Sequence, residues 1–242
     1  MSRRLLSSLA VALLLPATAL AEYEARAVIK ALDRAVLSGE LAARVERLPV
    51  RAGEAFAKGD PLVELDCALY KAQAEKVSAE VRAAKIKRDN ARELRSFNSI
   101  GEVDVALAQS EYAQSLAELN IARLNTQRCT IKAPWDGRVV GVRVNAHENI
   151  RQQQELIEIV GDRQLEAEIV VPAGWLSWLE TGQSLQLQVD GHDEAAVAQV
   201  SAIIPAIDAV SQTVLLRASL SQDTQLIPGM SATAVFNAPN AQ

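Results

Sequence analysis

Side chains able to carry chemistry are few in this chain of 242 residues, and they are widely spread. Its two histidines, His147 and His192, and its two cysteines, Cys67 and Cys129, offer none of the close spacings that seat zinc or haem. No Gly-x-Ser-x-Gly elbow occurs and neither Cys has a His near it in sequence, which removes the usual signs of an activated nucleophile. Asp66, Asp136 and Asp208 stand among turn-forming residues and read as turn and cap carboxylates, not as an acid–base pair. The expectation is a non-enzymatic protein that needs no cofactor and no metal. With 25 Lys and Arg against 30 Asp and Glu and a pI near 5.2, the chain also lacks the concentrated basic patch that grips a phosphate backbone. Nucleic acid is therefore not an expected partner.

What positions these residues is read from punctuation. Residues 1–21 have a positive start (Arg3, Arg4), an apolar run from Leu9 to Leu15, Pro16, and the small-residue site Ala19-Leu20-Ala21. They form a secretory signal peptide, with an uncleaved anchor as the alternative. Removing them leaves 23 basic and 30 acidic residues, a net charge of −7, in a compartment where disulfides form. All eight Pro and every Gly but Gly101 avoid the stretch from Leu62 to Ala133, which is rich in Ala, Leu, Glu, Lys, Gln and Arg. Two helices fit there, turned at Gly101, with Ser99-Ile100-Gly101-Glu102 as a capping box. Narrow apolar seams recur at three- and four-residue steps: Tyr70, Ala74, Val77, Val81, Ala84 and Ala91 on the first helix, Val105, Ala108, Tyr112, Leu116 and Leu119 on the second. Charged flanks predict an antiparallel coiled-coil hairpin standing in water. Cys67 and Cys129 flank it and either form a disulfide or fill the seam as small apolar residues.

The segments bracketing the hairpin repeat each other at an offset of 94 residues. Val50 to Phe56 matches Val144 to Ile150, and Leu62 to Leu65 matches Leu156 to Ile159, without a gap. Each copy reads as short strands between turn residues, Gly53 in the first and Pro134, Asp136 and Gly137 in the second, so the two halves pair into a small β-sandwich. From Arg163 to Phe236, period-two runs between Gly, Pro and Asp turns, with Pro228-Gly229 as the last, predict a barrel. Trp175 to Leu179 reads as one helical turn plugging a barrel end, or as an exposed aromatic patch for a partner.

These residues carry a family resemblance. Gly39-Glu-Leu, Val50-Arg-Ala-Gly-Glu and Lys58-Gly-Asp-Pro-Leu are similar to the first half of a split lipoyl-like domain. Thr130-Ile-Lys-Ala-Pro-Trp-Asp-Gly-Arg-Val resembles the opening of its second half in the HlyD-like periplasmic adaptor subunits, the membrane fusion proteins of tripartite efflux pumps. Leu165 to Pro172, Gly182-Gln183, Val200 to Pro205 and Pro228-Gly-Met230 continue the likeness through that family's barrel.

The fold class so implied is α+β and mainly β: a lipoyl-like sandwich split by an α-helical hairpin and followed by a barrel, without a complete membrane-proximal domain. Its segments are 22–37 (strands packing on the barrel), 38–66 (first half), 67–129 (hairpin), 130–162 (second half), 163–237 (barrel) and 238–242 (tail). The resemblance implies a homo-oligomer, trimeric or hexameric, in the periplasm. It would link an inner-membrane transporter, of resistance-nodulation-division type first, to an outer-membrane channel for efflux of small molecules. An ATP-driven exporter as transporter, or a biotinyl or lipoyl carrier, are the alternatives. Channel docking is expected at the hairpin tip through Arg92, Leu94, Arg95, Ser99 and Gly101, although Asn90 and Gly101 stand where the family pattern has Arg and Ser.

Overall fold

A computed structural model describes residues 22–192, 194–220 and 226–237; the signal segment and the tail lie outside them. In chain order the elements are β1 (Glu22–Ala31), β2 (Arg34–Ser38), β3 (Ala43–Arg47), β4 (Ala55–Phe56), β5 (Pro61–Leu65), α1 (Ala68–Ser96), α2 (Glu102–Gln127), β6 (Thr130–Lys132), β7 (Gly137–Val142), β8 (Asn149–Ile150), β9 (Glu155–Gly161), β10 (Leu165–Pro172), a 3-10 turn (Ala173–Ser177), β11 (Ser184–Val189), β12 (Ala196–Asp208), β13 (Thr213–Leu220) and β14 (Ser231–Asn237). They form two compact units, one of Lys30–Glu166 and one of the described residues on either side.

The first unit holds a sandwich of two four-stranded sheets, β2-β9-β7-β4 and β6-β5-β3-β8. The sheets are copies of one another at the 94-residue offset: β3 corresponds to β7, β4 to β8, β5 to β9 and β2 to β6. The bonds between copies also correspond. Val45 N–H donates to Glu148 O at 2.8 Å and Val139 N–H to Glu54 O at 3.0 Å; Gly59 N–H donates to Ala133 O at 2.8 Å and Gln153 N–H to Gly39 O at 2.6 Å. Each half turns on a carboxylate, Glu54 accepting from Arg51 N–H and Glu148 from Asn145 N–H, both at 2.9 Å. Val45, Val63, Leu65, Ile157 and Ile159 are buried between the sheets, because side chains on a strand alternate faces and only one face meets the partner sheet. At the equivalent positions Leu62 and Leu156 the strand pairing shifts register, and there a second, adjacent residue is buried as well.

The second unit is a closed barrel in the order β1-β10-β13-β12-β11-β14. It is sealed by β1 on β14, with Tyr23 opposite Phe236 and Val28 opposite Ser231. Inward positions alternate along each strand, as in Ala25, Ala27 and Ile29 or Leu185, Leu187 and Val189, and small barrels of this kind fill their interior with side chains. The Trp175–Trp178 segment forms the 3-10 turn and its exit, and Tyr23, Trp175, Trp178 and Phe236 stack edge-on and tilted at 5.0 to 6.2 Å between centroids. The strand region expected to pack as one piece on the barrel is instead divided. Glu22–Ala31 is a barrel strand, whereas Arg34–Ser38 adds to the sandwich, Ala35 opposite Ile159. The turn at Leu32-Asp33, where Gly161 N–H donates to Asp33 O at 2.8 Å, makes the switch.

Candidate docking surfaces on the helical hairpin

The hairpin joins β5 to β6. Its helices of 29 and 26 residues contain no Pro or internal Gly, and α1 alone is roughly 43 Å long at the standard rise. Their seam follows a strict alternation of three and four: Tyr70, Ala74, Val77, Val81, Ala84, Arg88 and Ala91 face Val105, Ala108, Tyr112, Ser115, Leu119, Ala122 and Thr126. The alanines leave room for close backbone approach.

Two seam positions differ from the sequence reading. Ser115 is 8% exposed and Leu116 is 37% exposed, the reverse of what hydrophobicity alone suggests. After Tyr112 the heptad steps by three, not four, and Ser115 satisfies its hydroxyl on Glu111 O and Tyr112 O at 3.0 and 3.1 Å. Arg88 also occupies the seam, its guanidinium 4.2 Å from the centroid of the Tyr112 ring and bonded to Asp89 at 2.5 Å. The hydrogen bond to Asp89 raises its already high pKa against the opposing desolvation, so the cation stays charged beside the ring.

At the tip, Phe97 to Gly101 reverse the chain. Asn98 N–H donates to Arg95 O and Ser99 N–H to Leu94 O, both at 2.9 Å, and Asn98 is left-handed with φ 56°. This is a Schellman end. The turn expected at Gly101 therefore falls on Asn98, one of the few non-glycine residues that tolerates that conformation. Ser99 closes α1 and does not cap α2. The cap is Gly101, extended at φ −78°, whose N–H donates to Asp104 Oδ2 at 3.1 Å. Of the residues expected to dock a channel, Arg92 is drawn across the hairpin to Gln109 Oε1 at 2.7 Å. Leu94, Arg95, Ser99 and Gly101 are exposed. Phe97, Val103 and Leu107, which the sequence reading passed over, are apolar and more than 60% exposed beside them. Asn-Ser just after a long helical run was the available signal for the true turn.

Of the structural turn residues, Gly53 and Gly229 are left-handed, at φ 88° and 100°. Asp136 accepts from Lys58 N–H at 2.7 Å and pairs with Arg163 at 3.1 Å, and Pro134 lines a groove at the hairpin base. Gly137 lies so close to β9 that a Cβ would stand 2.1 Å from Val160 O. Cys67 and Cys129 are joined in a disulfide with Cα atoms 5.7 Å apart. Among the described residues no three His, Cys, Asp or Glu side chains gather as a metal site, and no helix is long and apolar enough to cross a membrane.

The split sandwich, the hairpin and the barrel together are the architecture of the membrane fusion proteins. Residues 166–240 match the family of CusB-like β-barrel domains. The chain is similar to nodulation protein NolF of Rhizobium meliloti, 23% identical over 213 residues, covering 82% of this chain and 58% of that one. A MacA–MexA chimera with the Pseudomonas aeruginosa MexA α-hairpin superposes with TM-score 0.79 at 20% identity, over 90% of this chain and 81% of that one. The membrane fusion protein Spr0693 of Streptococcus pneumoniae gives 0.74 at 18%, over 90% and 100%. The chain spans 52% and 58% of the length of the curated relatives it matches.

Proposed function

We propose that this protein is a periplasmic adaptor whose copies assemble side by side through their hairpins and link an inner-membrane exporter, first a resistance-nodulation-division pump, to an outer-membrane channel. The observation that carries the reading is the split of charge between the two helices. α1 holds eight Lys and Arg against four Asp and Glu, whereas α2 holds four Asp and Glu against Arg123 alone. Each helix also exposes apolar residues away from the seam, Leu69 and Ile86 on α1 and Val103, Leu107, Ile121 and Leu124 on α2, all at least half exposed.

A basic helix and an acidic helix on one hairpin are complementary between successive copies, and such a head-to-tail contact forms a ring where its rotation closes. The exposed Leu94, Phe97 and Val103 beside Arg95 give the tip the mixed apolar and cationic character of a docking end. Mass measurement of the purified protein across protein and salt concentrations tests the assembly. Oligomers that weaken with salt and with Ile121→Glu are expected, and a monomer under every condition refutes it. Pull-down from membranes with the protein as bait tests the transport role, with a polytopic exporter as the expected co-purifying protein.

A further inference from the structure

The hairpin's attachment to the sandwich has no slack. Only Asp66 and Cys67 separate β5 from α1, and only Arg128 and Cys129 separate α2 from β6. Both cysteines are at least nine-tenths buried, at 7% and 3% exposure, within the cluster that contains Leu41, Val45, Leu65 and Ala133 of the sandwich. Around the disulfide, Tyr70 Oη donates to Ala42 O at 3.1 Å, Arg44 pairs with Asp66 at 3.0 Å and Arg128 with Glu40 at 2.8 Å. Leu65 N–H donates to Cys129 O and Asp66 N–H to Arg44 O, both at 2.8 Å. Hinges work by letting a few terminal or loop residues absorb changes in φ and ψ. Here each linker is two residues long, contains no Gly, is hydrogen-bonded to a strand, and is covalently tied to the other.

We propose that Cys67–Cys129 locks the hairpin to the sandwich so that the two move as one lever, and that only reduction of this bond restores bending at the base. This goes beyond the adaptor reading and holds or fails independently of it. Release is a thiol–disulfide exchange: a dithiol gives up two electrons and becomes a disulfide, while Cys67 and Cys129 gain them and two protons. Because the sulfurs lie in the core, exchange needs local opening of the helix ends, so the lock persists in the folded protein.

The test is a distance distribution between two spin labels in the full chain. The labels are placed through a keto amino acid, which leaves the native sulfurs alone, at exposed Gln114 on α2 and exposed Arg151 on the sandwich. The oxidised protein gives one narrow distribution, and Cys67→Ser/Cys129→Ser widens it by about twofold or more as the base frays. Tyr70→Phe/Arg128→Ala, which keeps the disulfide, stays narrow. A wide distribution in the oxidised protein overturns the lock even if the serine pair fails to fold. So does a serine pair as narrow as the oxidised form, or widening in the variant that retains the bond.

Discussion

The two halves of the sandwich use the same left-handed backbone with different residues, which sets up a reciprocal experiment. Gly53 at φ 88° corresponds to His147 at φ 70°. A Cβ built on Gly53 meets nothing within 4 Å, so Gly53→His finds space at Cβ and its cost comes first from the backbone. A non-glycine residue in this region costs about 1–2 kcal/mol, with His among the better tolerated. Restricting the unfolded chain returns about 0.4–1 kcal/mol. Gly53→His should therefore destabilise by about 0.5–1 kcal/mol, and His147→Gly should stabilise by about the same. In urea unfolding the midpoints should move in opposite directions at unchanged m-value. Two shifts of the same sign would show that side-chain contacts, not backbone conformation, decide these positions.

Other variants probe the sandwich and the hairpin. Gly137→Ala forces a Cβ against Val160 O and should cost about 3 kcal/mol or more, seen as a lowered unfolding midpoint. Ala84→Leu overfills the buried seam and should cost about 1–3 kcal/mol, whereas Leu116→Gln should leave the melting temperature almost unchanged. Glu158, hydrogen-bonded to Arg34 and Arg143, has its pKa lowered in the folded state by those two bonds. Its contribution is present above about pH 4.3, the ordinary value, and is lost as pH falls through the lowered one. The stability gap between wild type and Glu158→Gln should accordingly shrink between neutral and strongly acid pH.

The hairpin and the repeat were legible because each leaves a signature independent of tertiary context: a long run free of Pro and Gly, and apolar alternation copied at a fixed offset. What stayed hidden was set by neighbours. Arg88 reads as a surface cation until Tyr112 is seen beneath it, and Leu116 reads as core until the helical phase is fixed by Ser115 and Leu119. Gly101 drew the turn because glycine is the commonest left-handed residue, yet a Schellman end needs one such residue at a set distance from the last carbonyls, and that residue is Asn98. Arg34–Ser38 could not be assigned by pattern, since a short alternating strand fits the edge of a sandwich or a barrel equally well.

The internal symmetry of the sandwich gives it two equivalent ports. At one, Leu65 and Cys129 flank the hairpin. The residues 94 positions away, Ile159 and Ala35, pair with each other where the chain enters and leaves. Either port brings two strand ends close enough to accept an insertion, so hairpins of different length can be exchanged at one without changing how the module is joined at the other. Residues 34–161 thus carry two matching pairs of strand ends, one filled by the hairpin and the other by the chain's own entry and exit.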